Sequence, residues 1–361
     1  MSTSTLRTFG FSAVATLVIW LATAWGMGLN GLIAVVVLTV LEITLSVDNA
    51  VVNAKLIGQM SPFWQYLFLY VGIFIAVFVV RFLLPVIIVS LTSGLSLQEV
   101  VQLTLQDPHR YGEELHKAGP GINVFGGTFL LMIATGFFLD VAKEHHWIGV
   151  EHRLSRLGRY DNVAIFVLLG LVLLMGTTAP GDDAFMILIA GAAAVFIHVG
   201  LGLLSAFTED EDEEDVSQII ASAAGLTKRV IGVAAAVLFL RLELLDASFS
   251  LDGVIAAFAL STNVIVIMAG LGAGALWVRS GSIYMVRMGT LGKFIYLDNG
   301  AHWAIGALGV IMYLKVYHVE LPEWVVASVG LVLIAWAVWS SHKHRLREEG
   351  VGVHRRGRLT T

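Results

Sequence analysis

The sequence predicts an all-α polytopic membrane protein of about ten transmembrane helices, containing two inverted three-helix repeats. Three observations carry this. Of 361 residues, 57% are hydrophobic and 14% charged, with a mean hydropathy of +0.82, whereas soluble domains average about 25% charged. Apolar stretches long enough to cross a ~30 Å hydrocarbon core recur along the whole chain. An acidic motif embedded in apolar sequence occurs twice, as VLEITLSVDNAVV from Val40 to Val52 and LLDASFSLDGVIA from Leu244 to Ala256.

The first stretch, Phe9 to Gly26, ends near Ala22-Thr23-Ala24, which resembles a signal-peptide cleavage site. The next stretch begins within a few residues, which favours a membrane hairpin. Asn30 to Leu56 carries the first motif, Phe63 to Leu91 a lone Arg81, and Gly121 to Val141 completes a three-helix unit. Val163 to Thr178 and Ala184 to Ala206 are additions, followed by the acidic run Glu209 to Asp215, which reads as a solvated linker. Val230 to Leu260 carries the second motif, Val264 to Val278 leads into a lone Arg279, and Phe294 to Leu314 closes the second unit. Trp324 to Trp339 is the last span, before a basic tail from Lys343 to Arg358 that reads as an orientation signal. Metal binding by the tail histidines, His342, His344 and His354, is the weaker alternative.

The chain accordingly divides into an extra N-terminal helix (1–28), repeat unit 1 (29–142), two inserted helices (143–207), an acidic linker (208–228), repeat unit 2 (229–316) and a last helix with its tail (317–361). The motifs lie on the second and seventh spans, so they run antiparallel across the membrane, as in inverted-repeat transporters. Arg7, Lys55, Lys143, Arg153, Arg156, Arg159, Lys228, Arg229, Arg287, Lys293 and the tail fall on the side of the N-terminus, against Arg110, Lys117 and Lys315 on the other. This bias places both termini in the cytoplasm, in a multi-pass cell-membrane protein. Arg81, Arg241 and Arg279 remain at membrane depth.

The longest polar gap, Thr92 to Pro120, is too short for a sizeable soluble domain, so function belongs inside the bundle. There is no cysteine, which leaves carboxylate, hydroxyl, amide and imidazole as the available chemistry. The motifs align Glu42 with Asp246, Thr44 with Ser248, Ser46 with Ser250 and Asp48 with Asp252. Carboxylates at membrane depth are costly, so their duplication points to a function. Glu42, Ser46, Asn49 and Asn53 form one polar stripe on a regular helix, while Thr44 and Asp48 face elsewhere. Either both faces are covered by protein, or the helix unwinds to line a cavity, with Asn49 and Gly253 as the places for a break. Four acids with hydroxyl and amide oxygens suit Mg²⁺, Mn²⁺ or Ca²⁺. The competing expectation is that some acids pair with Arg81, Arg241 or Arg279 to hold helices together. Asp298 and His302 share a helix face beside Asn299 and form a secondary candidate, while Asp140, Asp182, Asp183, His198 and Glu243 read as structural.

At these motifs the chain resembles the TerC family of integral membrane proteins, through LSVDNAVV (Leu45 to Val52), FSLDGVIAAFALS (Phe249 to Ser261), the arginine-bearing helix after each, and KFIYLDNGAHWAIGALGVIMYLK (Lys293 to Lys315). The resemblance covers somewhat over half the chain. It implies a membrane protein that moves divalent metal, manganese above all, with Glu42, Asp48, Asn49, Asp246 and Asp252 as the acidic-motif positions. The chain departs from the family's common short form in its extra spans and in Gly253, where a serine is frequent. The resulting expectation is a non-enzymatic secondary transporter exporting Mn²⁺ or a similar cation, with protons as the counter-ion. Its metal residues are Glu42, Asp48, Asn49, Asp246 and Asp252, and Thr44, Ser46, Ser248, Ser250, Asp298, His302, Arg81 and Arg279 support them. No cofactor and no nucleic-acid partner is expected beyond the metal and the bilayer, and no GxxxxGK[ST] motif is present. Other classes are an intramembrane aspartyl hydrolase and a non-transporting membrane scaffold.

Overall fold

In the computed structural model the described residues are helical apart from short connections, with one isolated bridge between Met60 and Val230. The structure describes residues 3–143, 145–160, 162–181, 183–212, 230–258, 260–289, 293–319 and 321–357. Within these, the side chains of 3–7, 47, 48, 205–212, 252, 323 and 348–357 lie outside the described residues. Asp48 and Asp252 are thus located by backbone only, and Asp182 and most of the acidic linker fall outside altogether.

The helices are α1 (Thr3–Leu45), α2 (Val47–Gln59), α3 (Pro62–Ser93), α4 (Leu97–Gln106), α5 (Pro108–Lys117), α6 (Gly119–Leu139), α7 (Gly149–Leu157), α8 (Val163–Thr178), α9 (Ala184–Asp212), α10 (Gly232–Phe258), α11 (Val264–Arg287), α12 (Leu297–Val316) and α13 (Glu323–Gly357). Among the described residues six are long and apolar enough to cross a membrane: those containing Thr8–Leu45, Pro62–Ser93, Gly119–Leu139, Ala184–Leu204, Val264–Arg287 and Trp324–Arg347. The protein is a multi-pass membrane protein. Of the other expected spans, α8 has only 16 residues, α10 carries Arg241, Glu243, Asp246 and Asp252, and α12 is diluted by Asp298, Asn299, His302 and Lys315.

α1 accounts for two of the expected stretches, because Gly28 sits at φ 70°, ψ −166° and reverses the chain. Hydrogen bonding shows the reversal. On the first arm Ser12 meets Ser280 at 2.6 Å and Thr16 accepts from Trp277 at 3.0 Å, so numbering runs antiparallel to α11. On the second arm Thr39 donates to the Gly270 carbonyl at 3.2 Å, and Glu42 lies against Gly274, so numbering runs parallel. Only a glycine takes this φ without a steric penalty. Glycines 270 and 274 let α11 approach the second arm until an added Cβ would lie 2.5 Å from Leu38 Cβ and Glu42 Cβ respectively, the small-residue contact that brings membrane helices together.

The expected Asn30–Leu56 helix is interrupted at Ser46 (φ −108°, ψ 17°), three residues before Asn49. The ladder continues through the kink, with Ser46 N–H donating to Glu42 O at 3.1 Å and Ala50 N–H to Ser46 O at 3.0 Å. α10 runs unbroken through Gly253. The motif helices are therefore kinked once and not unwound, and the carbonyls of Glu42 and Ser46 are spent on the ladder. On α10 both faces are covered by protein, since Asp246, Ser248 and Ser250 are buried; on the first motif helix the stripe of Glu42, Ser46, Asn49 and Asn53 is buried and Thr44 on the other face is half-buried.

α3 contains a π-helical segment, Ile75–Leu83. Pro85 follows it and lacks the N–H that would bond one turn back, so the ladder slackens there. Arg81 uses the widened turn to donate from Nη1 to the Ala76 carbonyl at 2.9 Å.

Two clusters mark the ends of the bundle. At the start of α10, Val230 bridges to Gln59 and Ser61 just beyond α2. At its far end Phe258 packs against Tyr111 of α5, with ring centroids 5.7 Å apart. A 27-residue helix separates these ends by about 40 Å.

Candidate ion-binding site where the two repeats meet

The two motifs converge in the interior. Asn49, fully buried on α2, donates from Nδ2 to Asp246 Oδ1 on α10 at 3.0 Å. Gly253, five residues beyond Ser248 on α10, faces Glu42: a Cβ there would lie 3.8 Å from Glu42 Oε2. Residues about 200 apart in sequence thus share one polar cluster.

The first acid of each motif, Glu42 or Asp246, also faces the lone arginine of the arginine-bearing helix that comes after its motif. Glu42, 4% exposed, pairs with Arg81 of α3 and accepts from Ser46 at 3.3 Å. Asp246, 6% exposed, accepts from Arg279 of α11 at 3.2 Å. Glu243, one turn before it, holds the same guanidinium through two hydrogen bonds of 2.9 Å each. Arg279 further donates to the Phe68 carbonyl at 3.0 Å and lies 4.2 Å over the Phe68 ring. Gly72 makes room for this assembly, since an added Cβ would overlap Arg279 Nη1. Arg241, offered by the sequence as a third partner, makes no ion pair among the described residues.

Three carboxyl groups therefore face two guanidiniums in one buried cluster. The oxygens of Asn49 and Asn53 have no hydrogen-bond partner, although Nδ2 of Asn49 is used. Buried acceptors without partners are uncommon and call for an explanation. At the Glu42–Gly253 contact a cavity of about 30 Å³ is lined by Glu42, Thr44, Ser46 and Gly253 and by residues of α12 and α13, room for about one water-sized occupant.

The other candidate residues fall as follows. The Thr44 hydroxyl turns back to the Val40 carbonyl at 2.7 Å and that of Ser248 to Leu244 at 2.9 Å, while Ser250 is buried. Among the described residues no three His, Asp or Glu side chains converge as a ready metal cage. Glu42 and Asp246, expected as metal residues, are committed here to arginines; the side chains of Asp48 and Asp252 lie outside the described residues. Asp140 accepts from Ala142 N–H in a turn, His198 packs edge-on to Phe129, and the Asp183 carbonyl starts α9, none of them near the cluster.

Asp298 and His302 lie in a second network at the α2 end of the bundle. Asp298 pairs with Lys55 at 2.6 Å and with His302 at 3.2 Å. His302 stacks on Phe137 at 3.7 Å, and Lys143 sits 3.9 Å over the same ring. Glu151, which nothing in the sequence singled out, anchors this region. It is fully buried and accepts from Lys143 at 3.0 Å, Trp147 N–H at 2.9 Å, Asn299 at 2.6 Å and Trp303 at 2.8 Å. Burial pulls the Lys143 amine below the usual lysine range, and contact with Glu151 opposes that pull. A lone acid in the short polar helix α7 has no motif, so only tertiary contacts reveal it.

Comparison with known proteins adds two findings. A family model described as "Protein of unknown function (DUF475)" matches residues 47–348. A protein of Bacillus subtilis (strain 168), "Uncharacterized membrane protein YceF", is 33% identical over 96 residues, which are 27% of this chain and 36% of that protein. The chain thus spans about a third of the length of the curated relative it matches. No solved structure matches the chain.

Proposed function

We propose that this chain, which belongs to the DUF475 family, is a secondary transporter of the cell membrane that exports a divalent cation, Mn²⁺ foremost, in exchange for protons. The observation that carries the reading is the buried junction of the two duplicated motifs, where three carboxyl groups face two guanidiniums and two amide oxygens are unpartnered. An acid in excess of its arginines at membrane depth is costly in its charged form unless a proton or a cation shares the site. In this proposal Asp48, Asn49 and Asp252 supply oxygen ligands, and Glu42 and Asp246 join them by exchanging their arginines for the metal. The resemblance to the TerC family supports the choice of manganese, and oxygen donors without sulfur suit such a hard ion.

The test uses purified protein in sealed vesicles loaded with a metal-sensitive dye. Mn²⁺ entry should saturate with concentration and fall to the rate of protein-free vesicles in both Asp48→Asn and Asp252→Asn. Wild-type entry no faster than that of empty vesicles, with and without a pH gradient, would sink the proposal.

Alternating access also gives the Lys55–Asp298 pair a role, as a latch joining the two repeat units at the cytoplasmic end. Both partners are partly exposed, so Asp298→Asn should change stability by less than about 1 kcal/mol. Its effect should appear in access. The chain has no cysteine, so Ser46→Cys provides one unique thiol at the small cavity. An impermeant thiol reagent on the Lys55 side should label it slowly, and markedly faster once Asp298→Asn is added. Equal labelling with and without Asp298→Asn would remove the latch from the model.

A further inference from the structure

A cavity of about 890 Å³ opens at the end of the bundle opposite Lys55, walled by α5, the start of α6, Asp183, the end of α10 and the residues after α12. We propose that it is a vestibule which receives a hydrated divalent cation at the mouth of the pathway, a binding site separate from the buried one; this rests on the reading of the chain as a cation carrier.

The placement is the first argument. Ile255, Ala256 and Phe258 line the cavity, so its wall begins within the second motif, about one turn beyond Asp252 on the same helix. The chemistry is the second. His109, His116 and His318 line it together with Glu113 and Asp183, and His109 and Glu113 also pair with each other at 3.2 Å. Lys117 is held by Glu114 at 2.8 Å, and Lys315 is likewise engaged. The third is Asn123, which lines the cavity from the second turn of α6 at 8% exposure, its Oδ1 without a partner. A buried amide oxygen in such a wall is an acceptor awaiting a cation or its water. His318 adds a fourth point, since it closes α12 at φ 59°, a conformation usually left to glycine or asparagine.

Size and spacing decide how the cation is held. An ion with six waters at about 30 Å³ each needs roughly 200 Å³, and the cavity exceeds that several-fold. No three His, Asp or Glu side chains converge among the described residues, so the walls reach the ion through its water shell, as hard divalent ions that shed water reluctantly allow.

The experiment combines Mn²⁺ uptake with a Mn²⁺ titration in which the free ion is counted by its paramagnetic resonance signal. The triple variant His109→Ala, His116→Ala, His318→Ala, and separately Asp183→Asn, should raise the KM for Mn²⁺ offered on the cavity side, by about tenfold for Asp183→Asn, as expected when a focusing cleft loses a charge. Maximal rate should stay unchanged, and a weak class of bound Mn²⁺ should disappear. Asp48→Asn should do the converse, abolishing uptake while keeping the weak class. Unchanged KM together with an unchanged titration in the triple variant would overturn the vestibule, as would a fall in maximal rate alone. If wild-type protein moves no Mn²⁺ yet keeps a weak class that the histidines supply, the carrier reading fails and the binding site stands.

Discussion

Arg279→Ala is expected to cost about 3–5 kcal/mol of stability, the range for removing one partner of a buried ion pair. Arg279 is 2% exposed and is the shared counter-charge of Glu243 and Asp246, so its loss strands two carboxylates at membrane depth. The readout is the thermal unfolding midpoint in detergent together with yield from the membrane. Arg279→Lys should recover only part, because an ammonium cannot reproduce the two parallel bonds to Glu243. Glu243→Gln should be milder, since it leaves Arg279 paired one-to-one with Asp246, as Arg81 is with Glu42. A variant Arg279→Ala within about 1 kcal/mol of wild type would show that this cluster does not hold the fold together.

The second large effect is expected at Gly274. A Cβ there lies 2.5 Å from Glu42 Cβ and 2.9 Å from the Thr39 carbonyl oxygen. Neither atom is the free end of a flexible side chain, so Gly274→Val must push α11 away from α1. Overpacking of this kind costs about 1–3 kcal/mol. It should also abolish Mn²⁺ uptake, because the displaced backbone carries Glu42 away from Arg81. Gly281→Ala on the same helix has open space around its Cβ and should leave stability within about 0.5 kcal/mol and uptake intact. Similar behaviour of the two glycine variants would mean that the close α1–α11 approach is not required.

Much of the architecture was legible because hydrocarbon imposes length and apolarity on every crossing helix. α6 and α9 follow their apolar stretches closely, and α13 starts with its stretch but runs on to Gly357. The kink at Ser46 was less legible than the breaks considered at Asn49 and Gly253, because a glycine or amide permits a bend without requiring one. Neighbouring helices decide, and around α10 they hold a regular ladder. α10 was counted among the apolar stretches although four charged residues interrupt it.

The candidate site was legible in part for the same reason. Duplicated acids in apolar sequence stand out through their expense, and those motifs do meet, through Asn49 and Asp246 and through Glu42 and Gly253. The choice of partner was not legible. Three arginines lay at membrane depth, and helix rotation brought Arg81 and Arg279, not Arg241, to the motif acids. Glu243 read as structural; it is one of two carboxylates sharing Arg279. Glu151 and Asn123 carry no local pattern at all, and each gains significance from residues more than a hundred positions away or from a cavity wall.

By itself the sequence determined that the chain crosses a membrane many times and that two costly acidic motifs must be sheltered from lipid, because both follow from transfer energies that act residue by residue. Only the tertiary structure decided which arginine faces which acid, that three acids share two arginines, and which end of the bundle holds the large cavity. Those depend on helix rotation and on distances across the bundle, and Coulomb energy falls off with a separation that no local stretch of sequence specifies.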